Sequence, residues 1–166
     1  MSPDLPYKIV PGHLAEAGAC IEGRLELSKM PRLVELLSDN RGMVELKLAF
    51  SRSEDGITCI NGGYRTDLLL ICQRCLEPFA VKLAHTIKVG VVFEGTTLKK
   101  IPASMEPLVL KQETMQLTDF IEDEILLGLP ISPMHRLEDC AAGTQAAERD
   151  PVGSGPFHIL KKLKSG

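Results

Sequence analysis

The residues best suited to chemistry lie in the stretch "LLLICQRCLEPF", where two cysteines follow a run of branched aliphatic side chains. Cys72 and Cys75 have the C-x-x-C spacing, which lets two thiolates bind one metal ion from a tight turn. Two ligands do not close a tetrahedral site, but His135 and Cys140 follow downstream in a segment rich in proline. Together the four residues would form a Cys3His set, which is typical of structural zinc.

The cysteine pair has two other interpretations. Cys72 and Cys75 could be small apolar residues at a strand end, with His135 an ordinary surface imidazole, and the sequence leaves this choice against zinc open. They could also form a thioredoxin-type redox pair, in which a helix N-terminus lowers the pKa of the first thiol. The β-rich sequence after Pro78 predicts no such helix, so metal binding is favoured over redox chemistry.

Composition and charge limit the classes of partner. The five cysteines and the absence of a secretory signal pattern lead us to expect a cytoplasmic protein with reduced thiols, and Cys20 and Cys59 are predicted to fill the core. The longest apolar runs are too short to cross a bilayer, so no membrane partner is expected. The net charge of -3 creates no long-range positive field, so contact with RNA would be local or made through another protein.

Enzyme signatures are missing from the sequence. It contains no phosphate-binding G-x-x-x-x-G-K, no dinucleotide-binding G-x-G-x-x-G, no G-x-S-x-G and no H-E-x-x-H. The carboxylates of Glu122, Asp123 and Glu124 are consecutive, so they should spread around a helix as a solvated face. We therefore predict a protein that is not an enzyme and has no small-molecule substrate.

The elements that must position the cysteines are mainly strands. Apolar alternation or dense β-branched residues predict strands in these stretches: 20–28, 43–52, 56–72, 79–93 and 107–112. Asn61-Gly62 is typical of a type I′ hairpin and should divide the third stretch into two strands. Pro31 and Thr118 mark the starts of two helices. The predicted fold is α+β, an antiparallel β-sheet or partly open β-barrel with two helices and a zinc-knuckle-like turn.

Two stretches lack the periodicity of packed elements. Residues 1–18 are predicted to form an extended lead-in, and a run of small and polar residues begins at Ala141. We predict a single domain over 1–140 and, over 141–166, a flexible linker with a basic C-terminal tail. The tail's positive charges could contact RNA phosphates or a partner's groove; these charges belong to Lys161, Lys162 and Lys164.

Three motifs occur in one order: the turn C-x-R-C-L-x-P, an acidic helix that ends in Leu-Pro, and the closing "GPFHILKKLK". With these motifs the chain resembles the YceD-like family, the large ribosomal RNA subunit accumulation proteins of bacteria and chloroplasts. The resemblance implies an accessory role in large ribosomal subunit biogenesis, through the synthesis, processing or stability of 23S rRNA.

The resemblance also implies the class of partner. Large-subunit precursor RNA, a basic ribosomal protein or an assembly factor is expected, with Arg74 and the tail lysines as candidate contacts to RNA. Glu122 and Asp123 are candidate contacts to a basic protein. The alternative function is that of a metal- or redox-sensing regulatory protein that acts through Cys72 and Cys75.

Overall fold

The architecture is that of a mainly antiparallel sheet with helices packed on one face. The computed structural model describes residues 5–95 and 101–141. Over these ranges the elements, in chain order, are β1 (Lys8–Ile9), α1 (Pro11–Glu16), β2 (Cys20–Glu26), α2 (Pro31–Val34), β3 (Leu37–Asp39), β4 (Met43–Arg52), β5 (Thr58–Ile71), β6 (Pro78–Phe93), β7 (Glu106–Leu110), β8 (Met115–Gln116) and α3 (Leu117–Gly128).

The main sheet has the strand order β2-β4-β5-β6-β7, with β3 pairing to the end of β5 that β4 leaves uncovered. All pairs within it are antiparallel except β6 and β7, which are parallel. β1 and β8 pair as a separate two-stranded ribbon. The prediction of an α+β fold is confirmed. The sheet is open, so the barrel alternative is wrong. The edge strand predicted over 107–112 runs parallel to its neighbour, not antiparallel.

The alternation in β4 shows how the sequence produces this sheet. Val44, Leu46, Leu48 and Phe50 are buried, and the residues between them are exposed. Side chains in a strand point alternately to opposite faces, so this period of two places one face of the sheet on the core. The apolar face of α3 covers that core, with these residues buried: Leu117, Phe120, Ile121 and Ile125.

The predicted hairpin at Asn61-Gly62 is wrong, because β5 continues through both residues without a break. A Cβ atom on Gly62 would collide with the Lys47 carbonyl oxygen, and one on Gly63 with that of His85. The glycines therefore let the neighbouring strands approach closely. The turn between β4 and β5 lies earlier, where Gly56 has a φ of +77° and its N–H donates to the Ser53 carbonyl at 2.9 Å.

The helices depart from the predictions at two points. Residues 11–16, placed in an extended lead-in, form α1, so the structure has three α-helices over its described ranges where two were predicted. α3 begins at Leu117, and Thr118 is buried without capping the helix.

Cys59 is buried as predicted, whereas Cys20 is exposed on the edge strand β2 and does not fill the core.

Some predictions fall on residues that the structure does not describe. Lys161, Lys162 and Lys164, with the linker from residue 142 onwards, lie outside the described ranges. Their roles therefore stay predictions. Among the helices that are described, none combines the length and apolar character needed to cross a membrane.

Candidate metal centre

The first half of the centre is the connection between β5 and β6. These strands pair in register up to Ile71 and Pro78, so residues 72–77 form the turn. The Leu76 N–H donates to the Cys72 carbonyl at 2.9 Å, which closes a tight loop around the two cysteines. Leu76 has a φ of +63°, a left-handed conformation that is uncommon for a leucine and that reverses the chain here.

The second half is the segment that follows α3. The helix ends at Gly128 and Pro130 cannot continue it, so the chain runs back toward the cysteine turn. There the backbone N–H of Gln73 donates to the Pro133 carbonyl at 2.8 Å. A short 3-10 turn at Leu137–Asp139 then leads to Cys140. These contacts bring the two halves of the predicted ligand set together across about sixty residues of sequence.

The four predicted ligand atoms converge on one point. The sulfurs of Cys72, Cys75 and Cys140 and a ring nitrogen of His135 all lie within 4.8 Å of one another. The Cys75 sulfur lies 3.3 Å from Nδ1 of His135. Cys72 is 0% exposed and Cys140 1% exposed, and the other two are half-buried. The arrangement can hold a metal ion.

Backbone N–H groups favour a negative charge on the Cys72 sulfur. Burial opposes ionisation of this thiol, but backbone hydrogen bonds from Cys75, His135 and Arg74 outweigh it and lower the pKa of Cys72 to about 5. The N–H groups of Arg74 and His135 lie 3.4 Å and 3.5 Å from the sulfur. These hydrogen bonds therefore favour the thiolate form of Cys72, which is the form that binds a metal.

Cys75 behaves differently. A backbone hydrogen bond from Glu77 favours its thiolate, but burial and the neighbouring sulfurs of Cys72 and Cys140 outweigh that effect and raise the pKa of Cys75. Sulfurs this close repel one another when all are charged, and a bound cation removes that repulsion. The electrostatics of the turn thus match a cation-binding site.

Two features of the centre have no signature in the sequence. The imidazole of His135 packs on Phe79, with ring centroids 4.8 Å apart, which holds the ring beside the cysteine turn. The donors to Cys72 are backbone groups, so no residue type announces them.

Arg74 lies inside the turn and is half-buried. Its Nη2 contacts the Met134 sulfur at 3.7 Å, while Nη1 is buried and has no hydrogen-bond partner within the described residues. The side chain thus bridges the two halves of the centre. Its predicted contact with RNA is not tested by this geometry and stays a prediction.

The acidic helix differs from its prediction as a solvated face. The Glu122 carboxylate is buried, accepts a hydrogen bond from the Leu33 N–H at 3.0 Å and pairs with Arg32 at 2.8 Å. Glu122 therefore helps to pack α3 against α2. Its predicted contact with a basic partner is not tested by this geometry and stays a prediction. Asp123 is exposed but also pairs with Arg32, at 2.6 Å. No local pattern links Arg32 to Glu122, because ninety residues separate them in the sequence.

Comparisons with known proteins match the part of the chain that contains the candidate metal centre. The family described as large ribosomal RNA subunit accumulation protein YceD matches residues 60–164, which include both halves of the centre. The protein of that name from Haemophilus influenzae is 26% identical over 167 aligned positions, which cover 96% of each chain. No solved structure matches. Because the match covers more than half of its length, this chain belongs to the YceD family of large ribosomal RNA subunit accumulation proteins.

Proposed function

We propose that this protein is an accessory factor of large ribosomal subunit biogenesis that promotes the synthesis, processing or stability of 23S rRNA, and that zinc stabilises its fold. Membership of the YceD family is the observation that supports the ribosomal role. The convergence of Cys72, Cys75, His135 and Cys140 is the observation that supports zinc. The proposed role is not enzymatic and needs no small-molecule substrate.

The chemistry of the donors favours zinc over the hard cations. Three thiolates and one imidazole form a soft set, whereas calcium and magnesium prefer oxygen. Zn–S bonds of about 2.3 Å place tetrahedral ligands roughly 3.8 Å apart. The donor atoms lie within 4.8 Å of one another, so small movements of the side chains are enough.

The site would be structural because the protein supplies all four ligands. A catalytic zinc keeps one position open for water or substrate. Here the ion would join the turn after β5 to the segment after α3, which has little regular structure apart from Leu137–Asp139. Structural zinc can contribute on the order of 10 kcal/mol to folding, so the position of this segment would depend on the metal.

The second candidate function is a metal- or redox-sensing protein, and the low pKa of Cys72 is the observation that favours it. Reactive thiols are both thiolate and accessible, whereas Cys72 is 0% exposed. Thiol titration with and without a chelator separates the two functions. A structural site yields reactive thiols only after chelation, and a sensor yields one beforehand.

The ribosomal role is tested by depleting the protein and measuring the ratio of 23S to 16S rRNA. We expect the ratio to fall and to be restored by the wild-type chain and by the control Cys20→Ser, whose sulfur is exposed and distant in sequence from the site. The double variant Cys72→Ser, Cys140→Ser should restore it poorly. An unchanged ratio after depletion would refute the ribosomal role.

The partner is proposed to be large-subunit precursor RNA, a basic ribosomal protein or an assembly factor. Affinity purification at low salt should then recover large-subunit precursors, and fractionation should place the protein in the cytoplasm with them. Recovery should weaken as salt increases, because contacts to phosphates release counterions. Arg74→Ala tests the proposed RNA contact beside the metal centre. Purification that recovers small-subunit precursors equally well would contradict the proposal.

A further inference from the structure

A groove lies on the side of the molecule formed by α3, β6 and β7. It encloses about 430 Å³, which is within the range of roughly 300–1,000 Å³ seen for binding pockets. Its walls are mostly apolar and include Leu108, Phe120 and Leu127, the last of which is 79% exposed. Glu106 and Glu124 also line it. We call it the α3–β7 groove.

Three carboxylates line the α3–β7 groove, and one of them, Asp123, is paired with Arg32. The other two, Glu106 and Glu124, have no such partner among the described residues. Over residues 5–95 and 101–141, no ion pair within 4 Å joins Glu106 or Glu124 to a basic side chain. Burial raises the pKa of Glu124, and the charge of Glu106 raises it further. The charge of His85 lowers this pKa and that of Asp123 raises it. Two like charges beside exposed apolar surface suit a ligand that is both basic and apolar.

We propose that the α3–β7 groove binds the protein's own C-terminal segment, residues 156–164, "PFHILKKLK". This segment combines the two properties that the groove requires. Phe157, Leu160 and Leu163 recur every three residues, and the segment adds three positive charges, those of Lys161, Lys162 and Lys164. The apolar side chains would cover Leu127 and Leu108, and the lysines would face Glu106 and Glu124. This inference does not rest on the proposed ribosomal function.

The length of the chain permits this contact. Residues 142–155 connect the last described residue to the segment and reach at most about 50 Å when fully extended. A compact domain of this size has a radius of gyration of roughly 14 Å, so the segment can reach any face. Covalent connection gives an effective concentration in the millimolar range. A contact too weak to hold a separate peptide would therefore still form within one chain.

The test is zero-length carbodiimide cross-linking of the full chain at low ionic strength, followed by isolation of the monomer and peptide mass spectrometry. We expect cross-links from Lys161, Lys162 or Lys164 to Glu106 or Glu124. They should be lost at high salt, which screens exposed charges. Absence of these cross-links from the monomer would overturn the proposal. Their presence only in dimers would also overturn it, because a second copy would then be the occupant.

Charge exchange provides a second measurement that does not depend on cross-linking chemistry. Reversing the groove with Glu106→Lys and Glu124→Lys should increase amide exchange across α3 and β7, and reversing the three lysines to glutamate should do the same. Combining both reversals should restore protection. The matched control is Glu54→Lys with Glu94→Lys, since both residues are exposed and outside the groove. Equal effects of control and groove variants, or no rescue in the combination, would refute the assignment.

Discussion

Arg32 and Glu122 form a 2.8 Å ion pair in which the arginine side chain is 52% exposed and the glutamate side chain only 2%. The same guanidinium also binds Asp123, which is 56% exposed. One cation thus serves two adjacent carboxylates in very different surroundings. The pair joins α2 to α3, and the buried Leu33 N–H completes the contact by donating to Glu122.

The two carboxylates should therefore differ in their value to stability. Glu122→Ala leaves the Leu33 N–H without its acceptor and opens a cavity, so we expect a loss of about 2–3 kcal/mol in the free energy of unfolding. Asp123→Ala removes an exposed pair and should cost less than about 1 kcal/mol. Urea denaturation of both variants measures the difference, and equal losses would contradict the assigned burial.

If the four candidate ligands bind zinc as proposed, each chain should hold one zinc ion. Cys72→Ser and Cys75→Ser should each abolish zinc binding, because removing one of four ligands opens a site that is otherwise closed. Cys20→Ser should keep full occupancy, since this exposed residue is not among the converging ligands. Elemental analysis of protein prepared without a histidine tag checks all three. Full zinc content in the Cys72 and Cys75 variants would rule the site out.

The centre of β5 should tolerate no side chain at Gly62. A Cβ atom there would meet the Lys47 backbone, which cannot move without disturbing the pairing of β4. We expect Gly62→Ala to cost about 2 kcal/mol or more. Gly12→Ala is the control, because the nearest atom lies at 4.0 Å and belongs to a flexible arginine; its effect should stay within about 1 kcal/mol. Thermal unfolding compares the two.

Tyr64 should ionise at unusually high pH. Burial, followed by the nearby charge of Glu124, raises its pKa to about 12, and its hydroxyl donates to the Glu124 carbonyl at 2.9 Å. A raised pKa means that the fold prefers the neutral phenol. This contribution to stability is complete below the unfolded pKa of about 10 and is lost as the pH rises toward 12.

Ultraviolet titration can isolate this residue, because the sequence has two tyrosines and the other, Tyr7, is exposed. In the variant Tyr7→Phe, we expect a single transition well above pH 10 while the protein stays folded. A transition at the ordinary tyrosine pKa would show that the phenol of Tyr64 is solvated.

The sequence predicts those features that depend on periodicity. The alternation at Val44, Leu46, Leu48 and Phe50 correctly identifies β4 and its buried face. Side chains alternate between the two faces of a strand, so only one orientation of the strand buries all four apolar residues. α1 escaped prediction because Pro11 and Gly12 resemble loop residues, although proline is also favoured at the first position of a helix.

Features that depend on distant contacts could not be predicted. Asn61-Gly62 is typical of a turn, but both residues pair with strands on either side and stay within β5. Gly62, which has no Cβ atom, instead lets the backbone of β4 approach β5 closely. At the candidate metal centre, residue type and spacing predicted the four side chains that the structure brings together. The burial of Glu122 depends on Arg32, a partner that no local pattern could reveal.

The position of Cys140 gives the metal a mechanical consequence. This candidate ligand is the last buried residue before residue 142, so a bound ion would attach the rest of the chain at a fixed point beside the cysteine turn. Without the ion, Cys140 would no longer be held at the cysteine turn, and the chain would be attached at an earlier contact, such as the hydrogen bond from the Gln73 N–H to the Pro133 carbonyl. The connector to the C-terminal segment would then be longer, so the effective concentration of the C-terminal lysines at the groove would fall. Loss of zinc would thereby lower the occupancy of the α3–β7 groove by the C-terminal segment, although no groove residue contacts the metal.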